Sequence, residues 1–99
     1  MEIMEVKIQS VKFDAGSHLE EFINRRMSKL SRFAENAVSA DVTLKLDKDR
    51  QNGNKVAAVT LHIPGGSLVA EERSRTFEEA VDGCIDALKR QIEKRRDRI

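Results

Sequence analysis

The binding of an anion is the chemistry that this sequence indicates most clearly, because positive side chains crowd into its last segment. Residues 89–99 hold six lysines and arginines against two acids, although the 99-residue chain as a whole carries a formal net charge of +1. A nearly neutral protein exerts no uniform field, so an electrostatic function must come from a local asymmetry. Three interpretations are open: a solvated helix tail, a helix that binds an acidic partner protein, and a surface that binds nucleic acid.

A second group of cations lies in the first half of the chain, on a segment with helical periodicity. Arg25, Lys29 and Arg32 fall within about 60° of one another on a helical wheel, beside an apolar stripe. Arg26 lies at the opposite edge of that stripe, where its alkyl stem could cover the core while its head reaches water. If this helix runs parallel to the C-terminal one, their basic halves meet in one patch that would bind RNA in a salt-sensitive way. The candidate RNA-binding residues are Arg25, Arg26, Lys29, Arg32, Lys89, Arg90, Lys94, Arg95, Arg96 and Arg98.

The aromatic content narrows the kind of nucleic acid that such a patch would recognise. The chain has four phenylalanines and no tyrosine or tryptophan, and Phe22, Phe33 and Phe77 occupy positions that suit the core. This argues against a platform that stacks the bases of a single strand. It favours recognition of a folded RNA shape through phosphate and 2′-hydroxyl contacts.

No residue pattern predicts catalysis, a metal site or a cofactor. His18 and His62 lie on different elements, and neither has a partner at metal-binding spacing. Cys84, the one cysteine, falls on an apolar helix stripe and is interpreted as a buried structural thiol. No apolar run approaches the ~18 residues of a membrane-spanning helix. We therefore expect a non-enzymatic protein of the cytoplasm with no membrane partner.

Six elements are needed to position these side chains, and the predicted order is β-α-β-β-β-α. Alternation at Met4, Val6 and Ile8 predicts the first strand. Ser17 and Glu20 have capping-box spacing, which predicts a helix from about His18 to about Phe33. Three strands are then predicted around residues 40–47, 58–63 and 67–73, followed by a helix over 76–98 that Thr76 and Glu79 would cap.

Each predicted helix has one apolar face, and this decides the architecture. Two such faces can be buried on one side of a four-stranded sheet, which gives a two-layer α+β domain over residues 1–99. The helix between the first two strands allows them to pair in parallel. Turns are predicted at Asn52-Gly53 and at Pro64-Gly65-Gly66. The stripes are Leu19, Phe22, Ile23, Leu30 and Phe33 with Met27 on the flank, and Phe77, Ala80, Val81, Cys84, Leu88 and Ile92.

Three segments of the chain resemble a known family. The segment FEEAVDGCIDALKRQIEKRRDR (residues 77–98) is similar to the C-terminal helix of the ribosome hibernation-promoting factors, a family that includes the ribosome-associated inhibitor protein Y. FINRRMSKL (22–30) resembles the first helix of that family, and HIPGG (62–66) resembles its turn between the third and fourth strands. Two positions depart from the family pattern: Arg75 stands where an acid is common, and Phe77 replaces a tyrosine.

The resemblance implies a fold similar in layout to double-stranded RNA-binding domains. It also implies binding to ribosomal RNA in the decoding channel of the small ribosomal subunit, over the sites of messenger RNA and of A- and P-site transfer RNA. Idle ribosomes of stationary or stressed cells would thereby be silenced. The basic positions that match the family pattern are Arg26, Lys29, Arg90, Lys94, Arg96 and Arg98, and Arg95 stands where the family often has histidine.

The chain resembles the short form of the family, without the C-terminal dimerisation domain of long forms. We therefore do not expect it to pair ribosomes by itself, and a second, ribosome-dimerising factor would be a further partner. The free protein is expected to be a monomer. A domain that binds an acidic protein through its basic helix, and a non-specific binder of double-stranded RNA, are the alternative functions.

Overall fold

A computed structural model of the chain describes residues 4–34, 36–48 and 53–96. It contains β1 (Glu5–Ser10), α1 (Gly16–Phe33), β2 (Ser39–Leu46), β3 (Lys55–Ile63), β4 (Gly66–Ser74) and α2 (Phe77–Arg96). The strands form one sheet in the order β1-β2-β3-β4, with β1 and β2 parallel and the other pairs antiparallel. The predicted two-layer α+β architecture, the order of its elements and the parallel first pair are confirmed.

The core lies between the sheet and the two helices. Ala40, Val42 and Leu44 of β2 face this core and are at most 1 % exposed, while side chains between them face the open side of the sheet. All six predicted stripe residues of α2 are buried, as is Ile85. Burial of apolar side chains on this scale is the main stabilising contribution to such a domain.

The stripe of α1 is rotated from its predicted position. Ile23, Met27 and Leu30 are fully buried, so Met27 lies at the centre of the stripe and not on its flank. Phe33 is only half-buried. It lies on the side of α1 that faces α2, where its ring contacts Lys89. Arg26 and Phe33 lie on the side of α1 that contacts α2.

The beginning of α1 differs from the prediction, and the capping box of Ser17 and Glu20 is wrong. The helix begins at Gly16 after Ala15, and no side-chain hydrogen bond caps it. Asp14 instead accepts a hydrogen bond from the Gly16 backbone N–H at 3.1 Å, in the way that aspartate side chains organise a turn. Ser17 lies inside the helix.

The beginning of α2 follows the prediction more closely. The Thr76 Oγ1 accepts a hydrogen bond from the Glu79 backbone N–H at 3.1 Å, which satisfies one of the free N–H groups of the first turn. The helix is described as far as Arg96, and the predicted end at Arg98 lies outside the described residues. No helix in the described ranges is long and apolar enough to cross a membrane.

Two glycines make the hairpin connections possible. Gly53 has φ +90°, and a Cβ added there would lie 2.4 Å from the Ser74 carbonyl oxygen. Asn52, its predicted turn partner, lies outside the described residues. Pro64 and Gly65 form the predicted turn between β3 and β4, with Gly65 at φ +86°, and Gly66 is already the first residue of β4.

Candidate nucleic-acid interface

The two helices run side by side in the same direction. Arg26 of α1 contacts Asp82 of α2, with 3.0 Å between Nε and Oδ1, and Lys89 Nζ lies 5.8 Å from the centroid of the Phe33 ring. Seven residues, or about two helical turns, separate the contact positions on each helix, and the numbering rises along both. The helices are therefore parallel, and their basic C-terminal halves lie at the same end of the domain.

A concave surface on α1 brings together four of the predicted cations. Arg25, Arg26, Lys29 and Arg32 line it with Phe22 and Ser28, and it encloses about 380 Å³. Positions three, four and seven residues apart share a helix face. Arg26 therefore lies beside the other three cations, and its predicted position at the opposite edge of the apolar stripe is wrong. Arg26 also lies over the Phe22 ring, with 4.9 Å from its guanidinium carbon to the ring centroid. This surface can accept a phosphate group, because guanidinium and ammonium groups are its main polar donors.

A second concavity lies between the helices and carries both signs of charge. It encloses about 280 Å³ and is lined by Arg26, Lys29, Asp82, Ile85, Asp86 and Lys89. Arg26 and Lys29 line both concavities, so the two are adjacent. We call Arg25, Arg26, Lys29, Arg32 and Lys89 together the helical face.

The cations of α2 do not all lie on the helical face. Lys89 is half-buried and turned toward α1. Arg90, Lys94 and Arg95 are exposed, but they are rotated from Lys89 by about 100°, 140° and 120° around the helix axis, Arg95 in the opposite sense to the other two. The structure therefore brings Lys89 together with the α1 cations and leaves these three on other sides of α2. The side chain of Arg96 and the whole of Arg98 lie outside the described residues, so their assignment stays a prediction.

The charge of the helical face is only slightly neutralised. Among the described residues, Arg26 is the one member of the face that forms an ion pair, with Asp82. The Arg26 side chain is 39 % exposed, and the Asp82 side chain is 46 % exposed. Arg26 Nε is buried and lacks an aligned hydrogen-bond partner, so the contact is electrostatic and not a well-formed hydrogen bond. The other four cations of the face form no ion pair with a described residue.

Phe77 is buried in the core as predicted, whereas Phe22 and Phe33 are half-buried and pack against the core from its edge. Phe13 and Phe77 stack on each other with 5.0 Å between ring centroids and 7° between planes. Phe22 and Phe33 lie beneath Arg26 and Lys89. Because cations lie over these two rings, they do not form the bare aromatic platform on which bases of a single strand stack.

Comparisons with known proteins identify the family of this chain. A family model described as "Sigma 54 modulation protein / S30EA ribosomal protein" matches residues 6–99. The chain belongs to this family. The ribosome hibernation promoting factor of Escherichia coli (strain K12) is 28 % identical over 96 residues, which cover 97 % of each chain. The ribosome hibernation promotion factor of Deinococcus radiodurans is 35 % identical over 78 residues, which cover 77 % of this chain and 40 % of that protein.

Two solved structures share the fold of this S30EA-family chain. A ribosomal subunit interface protein from Coxiella burnetii superposes with a TM-score of 0.84 at 16 % identity, over 95 % of this chain and 99 % of that one. The N-terminal domain of Thermus thermophilus protein Y gives a TM-score of 0.77 at 20 % identity, over 92 % and 98 %. The curated relatives are named as hibernation factors, which are not known enzymes, and they support a role in ribosome hibernation.

The open side of the sheet holds a polar network that sequence reasoning missed. His62 Nε2 lies 2.8 Å from Asp41 Oδ2, and its Nδ1 lies 3.3 Å from Ser67 Oγ. Lys45 pairs with Glu71 at 3.8 Å, and Arg73 pairs with Asp47 on the same side. A serine, a histidine and an aspartate in contact suggest a nucleophile, but all three lie on the solvent-exposed surface of the strands. Lys45, Arg73 and His62 on this side each lie beside an acid, unlike most cations of the helical face.

Cys84 is buried, as its position on the apolar stripe predicted. Its Sγ donates toward the Ala57 carbonyl oxygen at 3.2 Å. Burial, and next the negative charge of Glu72, raise the pKa of the Cys84 thiol from 9.0 to about 12. A thiol in this state is neither a nucleophile nor a metal ligand at neutral pH. Among the described residues, no group of three or more histidines, cysteines or acids could hold a metal ion.

Proposed function

We propose that this chain is a ribosome hibernation factor that binds ribosomal RNA in the decoding channel of the small ribosomal subunit. There it blocks the sites of messenger RNA and transfer RNA and inhibits translation in stationary or stressed cells. The observation that carries the proposal is the parallel arrangement of α1 and α2, which gathers Arg25, Lys29, Arg32 and Lys89 on one face. Membership of a family whose curated members are named hibernation factors supports it.

The mechanism is steric occlusion, and no covalent bond is made or broken. Arg25 and Arg32 can each hold a phosphate through two parallel N–H donors, while Lys29 and Lys89 act as point charges. Ordered RNA releases counterions when these groups reach its phosphates, which drives binding. Once the helical face is seated, the remainder of the domain fills the space that messenger and transfer RNA would occupy.

The other predicted cations extend this proposal. Arg90, Lys94 and Arg95 are exposed on α2 and would contact RNA that curves around that helix, and Arg96 and Arg98 would continue the contact. We propose that residues 1–99 act as one ribosome-binding domain, that the protein is cytoplasmic and monomeric when free, and that a second, ribosome-dimerising factor is a further partner.

Sedimentation with purified small subunits tests the proposal. Wild-type protein is expected to sediment with the subunits at low salt and to be released as salt rises. The variant Lys89→Glu with Arg90→Glu should be released at lower salt and keep its circular dichroism spectrum, because both side chains are outside the core. A matched variant, Lys7→Glu with Lys48→Glu, changes the same charge away from the helical face, where both lysines are exposed, and should behave like wild type.

Occlusion is tested separately from binding. Bound protein should lower the retention of a messenger RNA fragment and of P-site transfer RNA on small subunits in a filter assay. Sedimentation without such competition would contradict the decoding-channel site but leave RNA binding in place. No sedimentation with subunits at any salt, combined with binding to an acidic protein, would overturn the proposal in favour of a protein-interaction domain.

A further inference from the structure

We infer that the second concavity, which lies between α1 and α2 and is called the groove below, receives a ribose 2′-hydroxyl. Asp86 is the hydrogen-bond acceptor for this hydroxyl, so the helical face selects RNA over DNA. This inference rests on the proposed function, because it assigns a role within the same surface. It concerns a residue of the opposite sign from those that bind phosphate. Asp86 distinguishes ribose from deoxyribose and does not strengthen phosphate binding.

The first step is the state of the Asp86 carboxylate. Asp86 lines the groove with Arg26, Lys29 and Lys89, and it is exposed. It forms no ion pair with any other residue that the structure describes. Two of the neighbouring cations have contacts of their own, because Arg26 contacts Asp82 and the Lys89 ammonium lies over the Phe33 ring. Lys29 also lines the groove and forms no ion pair with Asp86. Asp86 therefore presents acceptor oxygens to the groove.

The second step is the chemistry that an acceptor of this kind selects. An ionised carboxylate accepts hydrogen bonds and donates none. A phosphate has no proton to give it and is repelled by its charge. A hydroxyl group donates one hydrogen bond, and a hydrogen bond to a charged partner is stronger than one between neutral groups. The position beside Asp86 therefore suits a hydroxyl group better than a phosphate.

The third step is the position of the groove beside the cationic concavity of α1. Arg26 and Lys29 line both of them. A phosphate held in the concavity therefore places the sugar bonded to it near the groove. In RNA that sugar carries the 2′-hydroxyl, the group by which proteins distinguish RNA from DNA. In an A-form duplex this hydroxyl is displayed in the wide minor groove, where side chains can reach it.

The experiment compares three duplexes of one sequence: RNA, fully 2′-O-methylated RNA and DNA. Methylation keeps the A-form shape and the base edges and removes the hydroxyl donor. Affinities are measured at low salt for wild type, for Asp86→Ala and for the control Glu79→Ala. Glu79 is an exposed acid on α2 outside the groove lining, so its replacement changes the net charge equally.

Wild type and Glu79→Ala are expected to bind RNA roughly tenfold more tightly than the methylated duplex, at the lower end for a hydrogen bond to a charged group. Asp86→Ala should bind both alike, and its affinity for DNA should rise because a repulsive charge is removed. A preference for RNA that survives in Asp86→Ala would overturn the inference. An equal loss on RNA and methylated RNA would also overturn it, since it would indicate contact with a base. If wild type binds none of the duplexes the inference is wrong, and sedimentation with small subunits then shows whether the proposed function fails with it.

Discussion

The salt dependence of RNA binding can be calculated from the composition of the helical face. Arg25, Lys29, Arg32 and Lys89 form no ion pair with another described residue, while Arg26 is offset by Asp82. If four phosphates are neutralised, the logarithm of the affinity should fall with the logarithm of the salt concentration with a slope of about −3.6. Between about 50 and 200 mM salt the affinity for a duplex RNA should fall roughly 150-fold.

Removing two of these charges gives a sharper test of the same reasoning. In Lys29→Gln with Lys89→Gln, two contacts remain, so the slope should shrink to about −1.8 and the loss over the same range to roughly 12-fold. Titration of a labelled RNA followed by fluorescence anisotropy at several salt concentrations measures both slopes. The control Lys7→Gln with Lys48→Gln changes two exposed lysines outside the helical face and should keep the wild-type slope.

Two results would refute this account. An unchanged slope in the Lys29 and Lys89 variant would show that the helical face does not contact phosphates. An affinity of the wild type that does not change with salt would show that phosphate contacts do not drive binding, whereas a slope near −6 would mean that Arg90, Lys94 and Arg95 also contact phosphates, about seven in all.

The remaining predictions concern the fold that supports this face. Thr76→Ala should lower the free energy of unfolding by about 1 kcal/mol, because it removes the cap of α2. Ser17→Ala should change this free energy by less than about 0.5 kcal/mol. Urea denaturation measures both values, and equal losses would support the capping box of Ser17 and Glu20. Gly53→Ala should cost about 1–3 kcal/mol in the same assay, because its φ is +90° and its Cβ would overlap the Ser74 carbonyl; an unchanged midpoint would contradict this. Cys84 should resist iodoacetamide at pH 8 until denaturant is added, as judged by mass spectrometry. Because its folded pKa is about 12 and its ordinary value is 9.0, the thiol contributes stability that is complete below about pH 9 and is lost as the pH rises toward 12; Cys84→Ala should show a shallower decline over that range.

Much of the fold could be predicted because each element carries its own periodic signal. The alternation of β2 and the stripe of α2 identified residues that are buried in the structure. The start of β3 was missed because Val56, Ala57 and Ala58 are all apolar, so the period of two disappears there. The start of α1 was misplaced because Ser17 and Glu20 have the spacing of a capping box, while Asp14 makes the hydrogen bond that is observed.

The candidate site was predictable in composition and less so in geometry. The wheel placed Arg25, Lys29 and Arg32 together, and they line one concavity. The pairing of Arg26 with Asp82 depends on the offset between two helices, and the contact of His62 with Asp41 depends on strand register. Neither quantity is encoded in local spacing, because both are set by how separate elements pack.

The pairing of charges on the open side of the sheet limits how many RNA strands one copy of this chain can bind. Lys45, Arg73 and His62 each lie beside an acid, so that side offers no surplus positive charge. A protein with unpaired cations on both sides would bind two separate RNA strands at once, whereas this protein carries its unpaired cations on the side of the helices. We therefore expect one chain to bind one stretch of RNA and to expose the nearly neutral open side of the sheet on the face away from that RNA.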